Sequence, residues 1–245
     1  MALDFAMTTN VGKREINEDS AACIEYAGGF CFVVADGLGG HGYGEVASRR
    51  LTDVFTRVFT EALDGESGEI LLSRAFNIAQ EEILELQRLR NTPNDLKTTA
   101  VALSVSGDTL QWAHCGDSRL YIFRKNKFRL RTLDHSVPQY LAIAKEIKDK
   151  DIAHHQDRNK LLRVVGVNWD SPQYTLSEPT ELEAGHAFLL CTDGFWEYIE
   201  TKKLEKFLKK SGSASEWLEL ITKEVETNAE GTNMDNYTAI AVISE

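Results

Sequence analysis

No stretch of the 245 residues runs apolar for anything near the ~20 residues that a membrane-crossing helix needs. The opening MALDFAMTTNVGKREINEDS lacks a basic head followed by an apolar run, so it does not read as a signal peptide. Basic residues are scarce: 27 Lys and Arg against 38 Asp and Glu leave a net charge of −11. That deficit argues against a nucleic-acid binder, whose phosphate contacts need clustered lysine and arginine, and against docking on an anionic membrane. The four cysteines, Cys23, Cys31, Cys115 and Cys191, form no C-x-x-C pair. Most lie in or beside apolar runs, where buried free thiols belong, and a reducing cytoplasm is the expected compartment. The six histidines show no zinc spacing, and His154-His155 reads as a polar surface pair. Internal repeats and low-complexity segments are absent.

What is present is a glycine pattern. FVVADGLGGHGYGEVAS, residues 32–48, places Gly37, Gly39 and Gly42 at G-x-G-x-x-G spacing between an apolar run and a helical pattern. A dinucleotide fold would need a strand after the helix, but a second helical pattern follows. A phosphate loop of the Walker type would need Lys after Gly42, where Tyr43 stands. Asp36, directly before the first glycine, would repel a pyrophosphate.

The rest of the chain sorts by period. Residues 20–35 read as two strands about a Gly28-Gly29 turn, the second apolar on both faces and therefore central. Apolar steps of three and four predict helices over 44–63 and 68–90, broken by DGESG and packed as a helical hairpin. TTAVALSVSG, TLQWAHCGDSRLYIFR and KFRLRTL predict an antiparallel meander. Residues 134–165 are polar and read as an inserted lobe. QYTLSEPTEL and HAFLLCTDG are strands again, 201–210 and 214–228 helices, and YTAIAVIS a closing strand. Strands, helices, strands, helices, strand make an α+β class, layered with helices outside stacked sheets.

Three aspartates share a context. Asp36 ends FCFVVAD, Asp193 ends AFLLCTD, and Asp235 just precedes the closing strand; glycine follows the first two. Asp-Gly is also ordinary turn chemistry. Its recurrence at strand ends favours convergence of these carboxylates at one sheet rim. Such a cluster repels itself unless a cation or a proton intervenes. Carboxylates without His or Cys select hard ions, Mg²⁺ or Mn²⁺, or Ca²⁺. Gly37 would let a backbone carbonyl approach the ion. A carboxylate-held pair of such ions suits phosphate hydrolysis: a bridging hydroxide attacks phosphorus while the ions neutralise phosphoryl charge. Arg14, in KREINEDS, could supply a guanidinium fork for the phosphate, if that segment is a strand beside the rim that also carries Glu18 and Asp19. Asp117 lies within the meander.

REINEDS (14–20), VADGLGGHGYGEVAS (34–48), TTAVAL (98–103), CGDSRLYIFR (115–124), DHS (134–136), LLRVVG (161–166), LLCTDGFWEYI (189–199) and DNYTAIAV (235–242) together resemble, in this order, the metal-dependent type 2C Ser/Thr protein phosphatases, their bacterial members in particular. The resemblance runs the length of the chain. It implies one catalytic domain over 1–245: two stacked, mainly antiparallel sheets flanked by helices, an α-β-β-α sandwich, with a flap at about 136–160 beside a cleft. By the same resemblance, Asp36 bridges two ions of Mn²⁺ or Mg²⁺ and Gly37 adds its carbonyl. Asp193 and Asp235 hold one ion, and Glu18 and Asp19 bind through water or support the second ion. Asp117 with Asp193 makes a weaker third site, and Arg14 binds substrate phosphate. The implied activity is hydrolysis of phosphoserine and phosphothreonine on proteins without a covalent intermediate. The implied partners are phosphorylated proteins and a Ser/Thr kinase whose action is reversed; a cytoplasmic monomer is expected. Leu38 stands where animal members have a histidine proposed as general acid, so the leaving-group proton must come from a metal-bound water or another group; His41 is nearby. Lys97 replaces the glycine usual before the paired threonines. The rival classes are an inactive binding module of the same fold and another metal-dependent hydrolase such as a nuclease.

Overall fold

A run that is apolar on both faces must be covered on both sides, and FCFVVA, residues 30–35, is such a run. In the computed structural model, which describes residues 2–39 and 43–244, it lies within β3 (Gly29–Leu38). Cys31, Val33 and Ala35 pack against the helices α1 (Gly44–Thr60) and α2 (Gly68–Arg90), while Phe32 and Val34 face a second sheet. The helical hairpin expected from the 44–63 and 68–90 patterns is therefore the outer layer on this side. Ser67 caps α2 by accepting from the amide of Ile70, and Asn91 closes it in the left-handed region at φ 53°.

The sheet that contains β3 has seven strands. Its path is β10 (Thr180–Glu181), β6 (Thr109–Cys115), β5 (Ala100–Ser106), β3 and β2 (Asp19–Tyr26), with β4 (Lys97–Thr98) on β3 and β9 (Thr175–Leu176) on β6. The second sheet has five: β1 (Leu3–Asn10), β12 (Tyr237–Ser244), β11 (His186–Cys191), β7 (Arg119–Arg124) and β8 (Lys127–Arg131). Every pairing is antiparallel. Outside the second sheet lie α5 (Thr201–Leu208) and α6 (Ala214–Asn228), packed through Leu204, Trp217 and Ile221 onto Phe123, Leu189 and Ala241. Three apolar layers result: helix on sheet, sheet on sheet, sheet on helix. Fully burying one such Phe, Leu or Trp is worth roughly 1.5–3 kcal/mol. The α+β sandwich with helices outside both sheets is the architecture expected.

Four local expectations change. The predicted meander is not one sheet: TLQWAHCGDSRLYIFR breaks at Gly116–Ser118, and β6 and β7 belong to different sheets. Gly116 adopts φ +101°, and a Cβ there would press on Thr99 at 2.6 Å, so only glycine makes this crossing. KREINEDS is not a strand; residues 11–18 form a loop, and β2 begins at Asp19. QYTLSEPTEL yields only the two-residue strands β9 and β10. Finally, the chain before it, Leu3–Asn10, forms an edge strand that the sequence reading did not identify, and Asp193–Trp196 starts a short helix, α4. Between β8 and β9, α3 (Val137–Ile143) and a 3-10 turn (Asp149–His154) make a lobe whose ends meet in a bridge between Ser136 and Leu161. Gly42 and His41 lie outside the described residues.

Candidate active site

The carboxylate cluster follows from strand pleating. Side chains alternate faces, so residues two apart share one. In the seam between the sheets, Phe32 and Val34 lead to Asp36, and Cys23 and Ala21 lead to Asp19. Leu103 and Val101 lead to Thr99, Ile122 and Leu120 to Ser118, Phe188 and Leu190 to Thr192, Val242 and Ile240 to Thr238. Because the strands are antiparallel, all six runs reach polar residues at one end of the sandwich. The apolar seam ends there in a layer of two aspartates and four hydroxyls.

That layer is cross-linked. Asp19 accepts from Thr192 Oγ1 at 2.9 Å, Thr192 Oγ1 accepts from the Thr238 amide at 3.0 Å, and Thr238 Oγ1 meets Thr9 Oγ1 at 2.8 Å. The Asp36 amide donates to Thr99 Oγ1 at 3.1 Å, which also meets Ser118 Oγ at 2.7 Å, and Thr98 Oγ1 and the Thr99 amide both donate to the Asp36 carbonyl, at 2.9 and 2.8 Å. The backbone of Asp36 is thus fixed from two sides.

In front of the layer opens a cleft of about 660 Å³, lined by Arg14, Glu18, Asp36, Gly37, Leu38, Asp117, Asp193 and Asp235 among others. Asp19 stands behind its wall, directly opposite Asp36 in the β2–β3 register. Each site residue named from the sequence is therefore at or immediately behind one cleft. The convergence is not at one sheet rim, as expected, but across the seam: Asp19, Asp36 and Gly37 come from one sheet, Asp193 and Asp235 from the ends of β11 and β12 in the other. Asp117 sits on the crossing segment between them.

The loop carrying Arg14 and Glu18 is held by Asn236, a buried residue not identified from the sequence. Its amide donates to the carbonyls of Val11 and Ile16 at 2.8 and 3.0 Å, and its Oδ1 accepts the Glu18 amide at 2.8 Å. Glu18 in turn meets the chain after Asp36: its carbonyl accepts from the Gly37 amide at 3.0 Å and from Ser48 Oγ at 2.5 Å, and its Oε1 from the Gly44 amide at 3.2 Å. A Cβ on Gly37 would lie 2.2 Å from the Gly44 carbonyl oxygen, and one on Gly194 2.1 Å from that of Asn236. These two Asp-Gly pairs need glycine for close backbone approach rather than for a turn.

Electrically the cleft is incomplete. Burial first, then the carboxylates of Asp193, Asp19, Asp117 and Asp235, push the Asp36 carboxyl well above its ordinary range. Burial and the nearby Asp193 do the same to Asp117. Burial, with Asp193 and Asp235 close by, lifts Asp19 to about 7 against the pull of the Thr238 and Thr192 hydroxyls. Burial and Asp235 lift Asp193 to about 6, and its carboxylate comes within hydrogen-bonding reach of Asp36. Burial also raises Glu18. Among the described residues, the cation in ion-pair contact with the cluster is Arg14, whose Nη2 lies 2.8 Å from Asp235 Oδ2, both side chains about half exposed. Asp19 Oδ1 is buried and has no hydrogen-bond partner.

A hard divalent cation fits this donor set. All donors are oxygen, one buried carboxylate oxygen is orphaned, and the mutual repulsion of the aspartates disappears when positive charge enters. Among the described residues, no three His, Cys, Asp or Glu side chains already close around a single point.

Beside the cluster lies a charge network that is complete. Arg119 donates to Asp134 from Nε at 2.8 Å and Nη2 at 2.6 Å, donates to the Tyr121 hydroxyl at 3.1 Å, and stacks on Trp196 at 3.4 Å. Trp196 Nε1 donates to the Asp117 carbonyl at 2.9 Å. Arg131 links Asp134 to Asp149 in the lobe. A second tie, Arg158 Nε to Glu197 Oε1 at 2.8 Å, holds the lobe to the end of α4.

Comparison with known proteins gives the family. The sequence model for protein phosphatase 2C matches residues 8–232. The chain belongs to the protein phosphatase 2C family. The serine/threonine phosphatase stp of Listeria monocytogenes is 32% identical over 235 residues, covering 94% of this chain and 90% of that protein. The serine/threonine protein phosphatase PstP of Mycobacterium tuberculosis is 28% identical over 244 residues, 98% of this chain and 45% of PstP. The crystal structure of the M. tuberculosis serine/threonine phosphatase PstP/Ppp superposes with a TM-score of 0.86 at 25% identity, both chains covered in full. The PstP catalytic domain crystallised in complex with two manganese ions superposes with a TM-score of 0.84 at 24% identity over 98% of this chain and 97% of that one. Among the described residues of this 2C-family chain, no helix is long and apolar enough to cross a membrane.

Proposed function

We propose that this chain is a phosphoprotein phosphatase that hydrolyses phosphoserine and phosphothreonine with the help of Mn²⁺ or Mg²⁺, reversing the action of a Ser/Thr kinase. The observation that carries the reading is the concentration of oxygen donors from both sheets around one cleft without matching protein cations. The stp and PstP relatives, which carry the name serine/threonine phosphatase, support the substrate class.

A pair of divalent ions in the cleft would supply an activated water and would neutralise the phosphoryl oxygens. Asp36, at the centre of the carboxylates, is the residue suited to serve both ions, with the Gly37 carbonyl beside it. Asp193 and Asp235 would hold one ion; Glu18 would act at the edge, and Asp19 would support the second ion from behind through its orphaned Oδ1. Asp117 with Asp193 would make a weaker third site. Arg14 would turn from Asp235 to the substrate phosphate once metal takes over the neutralisation of that carboxylate, because a guanidinium pairs as well with phosphate as with carboxylate. The lobe over 136–160 would act as a flap over the cleft, tethered through Arg131 and Arg158. Leu38 offers no proton at the cleft wall, so the leaving alkoxide takes its proton from another source.

Turnover of an aryl phosphate and of a phosphothreonine peptide in Mn²⁺, abolished by a chelator, is the expected result. Absence of turnover at every metal concentration would favour an inactive binding module, and activity on nucleic acid instead would favour a nuclease.

A further inference from the structure

We propose that a second groove, beside the cleft, holds the polypeptide on one flank of the phosphoresidue and selects flanks that carry carboxylates opposite Lys13 and Lys223. This rests on the phosphatase reading and adds a substrate preference to it.

The groove encloses about 550 Å³ between the end of β1, the loop after it and one face of α6, with Lys13, Lys223, Thr227 and Met234 among its lining. It adjoins the cleft. Lys13 lines both, and of two adjacent residues Asn233 faces the cleft and Met234 the groove. The partition is fixed: the Lys13 amide donates to the Met234 carbonyl at 2.9 Å. Gly12, at φ +61°, lies so flat on the stem of Asp235 that a Cβ would come within 2.2 Å of the Asp235 carbonyl oxygen. A chain leaving the cleft on this side over Lys13 meets the groove next.

The charges on its walls are the second observation. In a chain with net charge −11, Lys13 and Lys223 have no ion pair among the described residues, whereas Lys203 is paired with Glu224 at 2.7 Å on the neighbouring turn of α6. Glu226, also in the groove, accepts a hydrogen bond from the Tyr237 hydroxyl at 2.6 Å, which turns the carboxylate toward Tyr237 and leaves its negative charge in place. Glu230, just past the end of α6, adds a second negative charge, so the groove is bipolar and its two lysines are separate positive points in it. The groove thus suits single carboxylates placed opposite the lysines, not a uniformly acidic tail. Lys223 and Thr227 lie one turn apart on α6, about 6 Å, which is the length of about two extended residues. A short extended segment therefore spans the groove. Exposed pairs of this kind are individually weak, so the preference is a matter of several-fold, not of orders of magnitude.

The experiment compares kcat/KM on three substrates: an aryl phosphate, a phosphothreonine peptide with neutral flanks, and the same peptide with Asp at successive flanking positions. The expected result is a several-fold lower KM for Asp at one flank. Lys223→Glu, at an exposed position away from the cleft, abolishes that several-fold advantage and leaves the aryl phosphate unchanged. Thr227→Trp, which fills the groove, raises KM for both peptides and again spares the aryl phosphate. Equal kinetics for acidic and neutral flanks, or an unchanged ratio in Lys223→Glu, would overturn the groove while leaving the phosphatase intact. Failure of the parent protein to hydrolyse the aryl phosphate would overturn the phosphatase reading itself.

Discussion

Two groups of buried charge face each other across Asp117, and they have been solved in opposite ways. Around Arg119 every charge has its partner: the guanidinium forks onto Asp134, Arg131 adds a second contact, and Trp196 covers the face. Around Asp36 the carboxylates of Asp19, Asp117, Asp193 and Asp235 have, among the described residues, only the half-exposed Arg14 in ion-pair contact. The same fold, within one wall, neutralises one set of charges internally and leaves the other to be neutralised from outside. The difference is physical evidence of a site: a protein able to pair Asp134 this thoroughly leaves Asp36 unpaired only where something else binds.

The comparison is broken most severely by removing the central charge of the incomplete group. Asp36→Asn is expected to lower turnover by ~10³-fold or more, since the position serves both ions. It should also raise the melting temperature of the metal-free protein, because one repelling carboxylate is gone. Thermal melts with and without Mn²⁺ alongside steady-state rates check both. The complementary change is Arg119→Met, which leaves Asp134 buried without its fork. A loss of about 3–5 kcal/mol of stability is expected, measured by urea unfolding.

These two residues also mark what the amino-acid sequence disclosed. Asp36 was legible because an apolar run on both faces must be central, and a charge at its end must sit at the sheet's edge. The helices α1 and α2 were legible from their period. Arg119 was not singled out, because TLQWAHCGDSRLYIFR keeps its alternation straight through the crossing at Gly116 and reads as one sheet. Nothing local marks residues 11–18 as a loop stapled by Asn236, a residue more than 200 positions away. Thr192 and Thr238 were within reach: continuing the alternation of Phe188 and Ile240 past the apolar run points to both.

Smaller changes sharpen the contrast. Asp117→Ala, at the boundary of the two groups, should lower turnover ~10-fold while metal binding at the inner pair persists. If rate and metal dependence are unchanged, Asp117 holds no ion. Arg14→Ala should raise KM for a phosphopeptide ~10-fold without weakening Mn²⁺ binding, because Arg14 competes with the metal for Asp235 rather than helping it. The smallest effect is on pH. Asp19 and Asp193 have folded-state pKa values raised to about 7 and about 6, above their ordinary 3.8. The native state therefore binds protons more tightly than the unfolded one. Stability of the metal-free protein is lost as pH rises through these values, by roughly 5 °C in melting temperature between about pH 5.5 and 8. Saturating Mn²⁺ should remove the dependence at the upper end.

The most direct measurement is a calorimetric titration of Mn²⁺ into metal-free protein near neutral pH, repeated in buffers of different ionisation enthalpy. Binding of two ions with release of protons from the carboxylate cluster is predicted, and loss of that signal in Asp36→Asn. Binding that is absent, or that survives Asp36→Asn with the same proton release, would contradict a cleft built to be completed by metal.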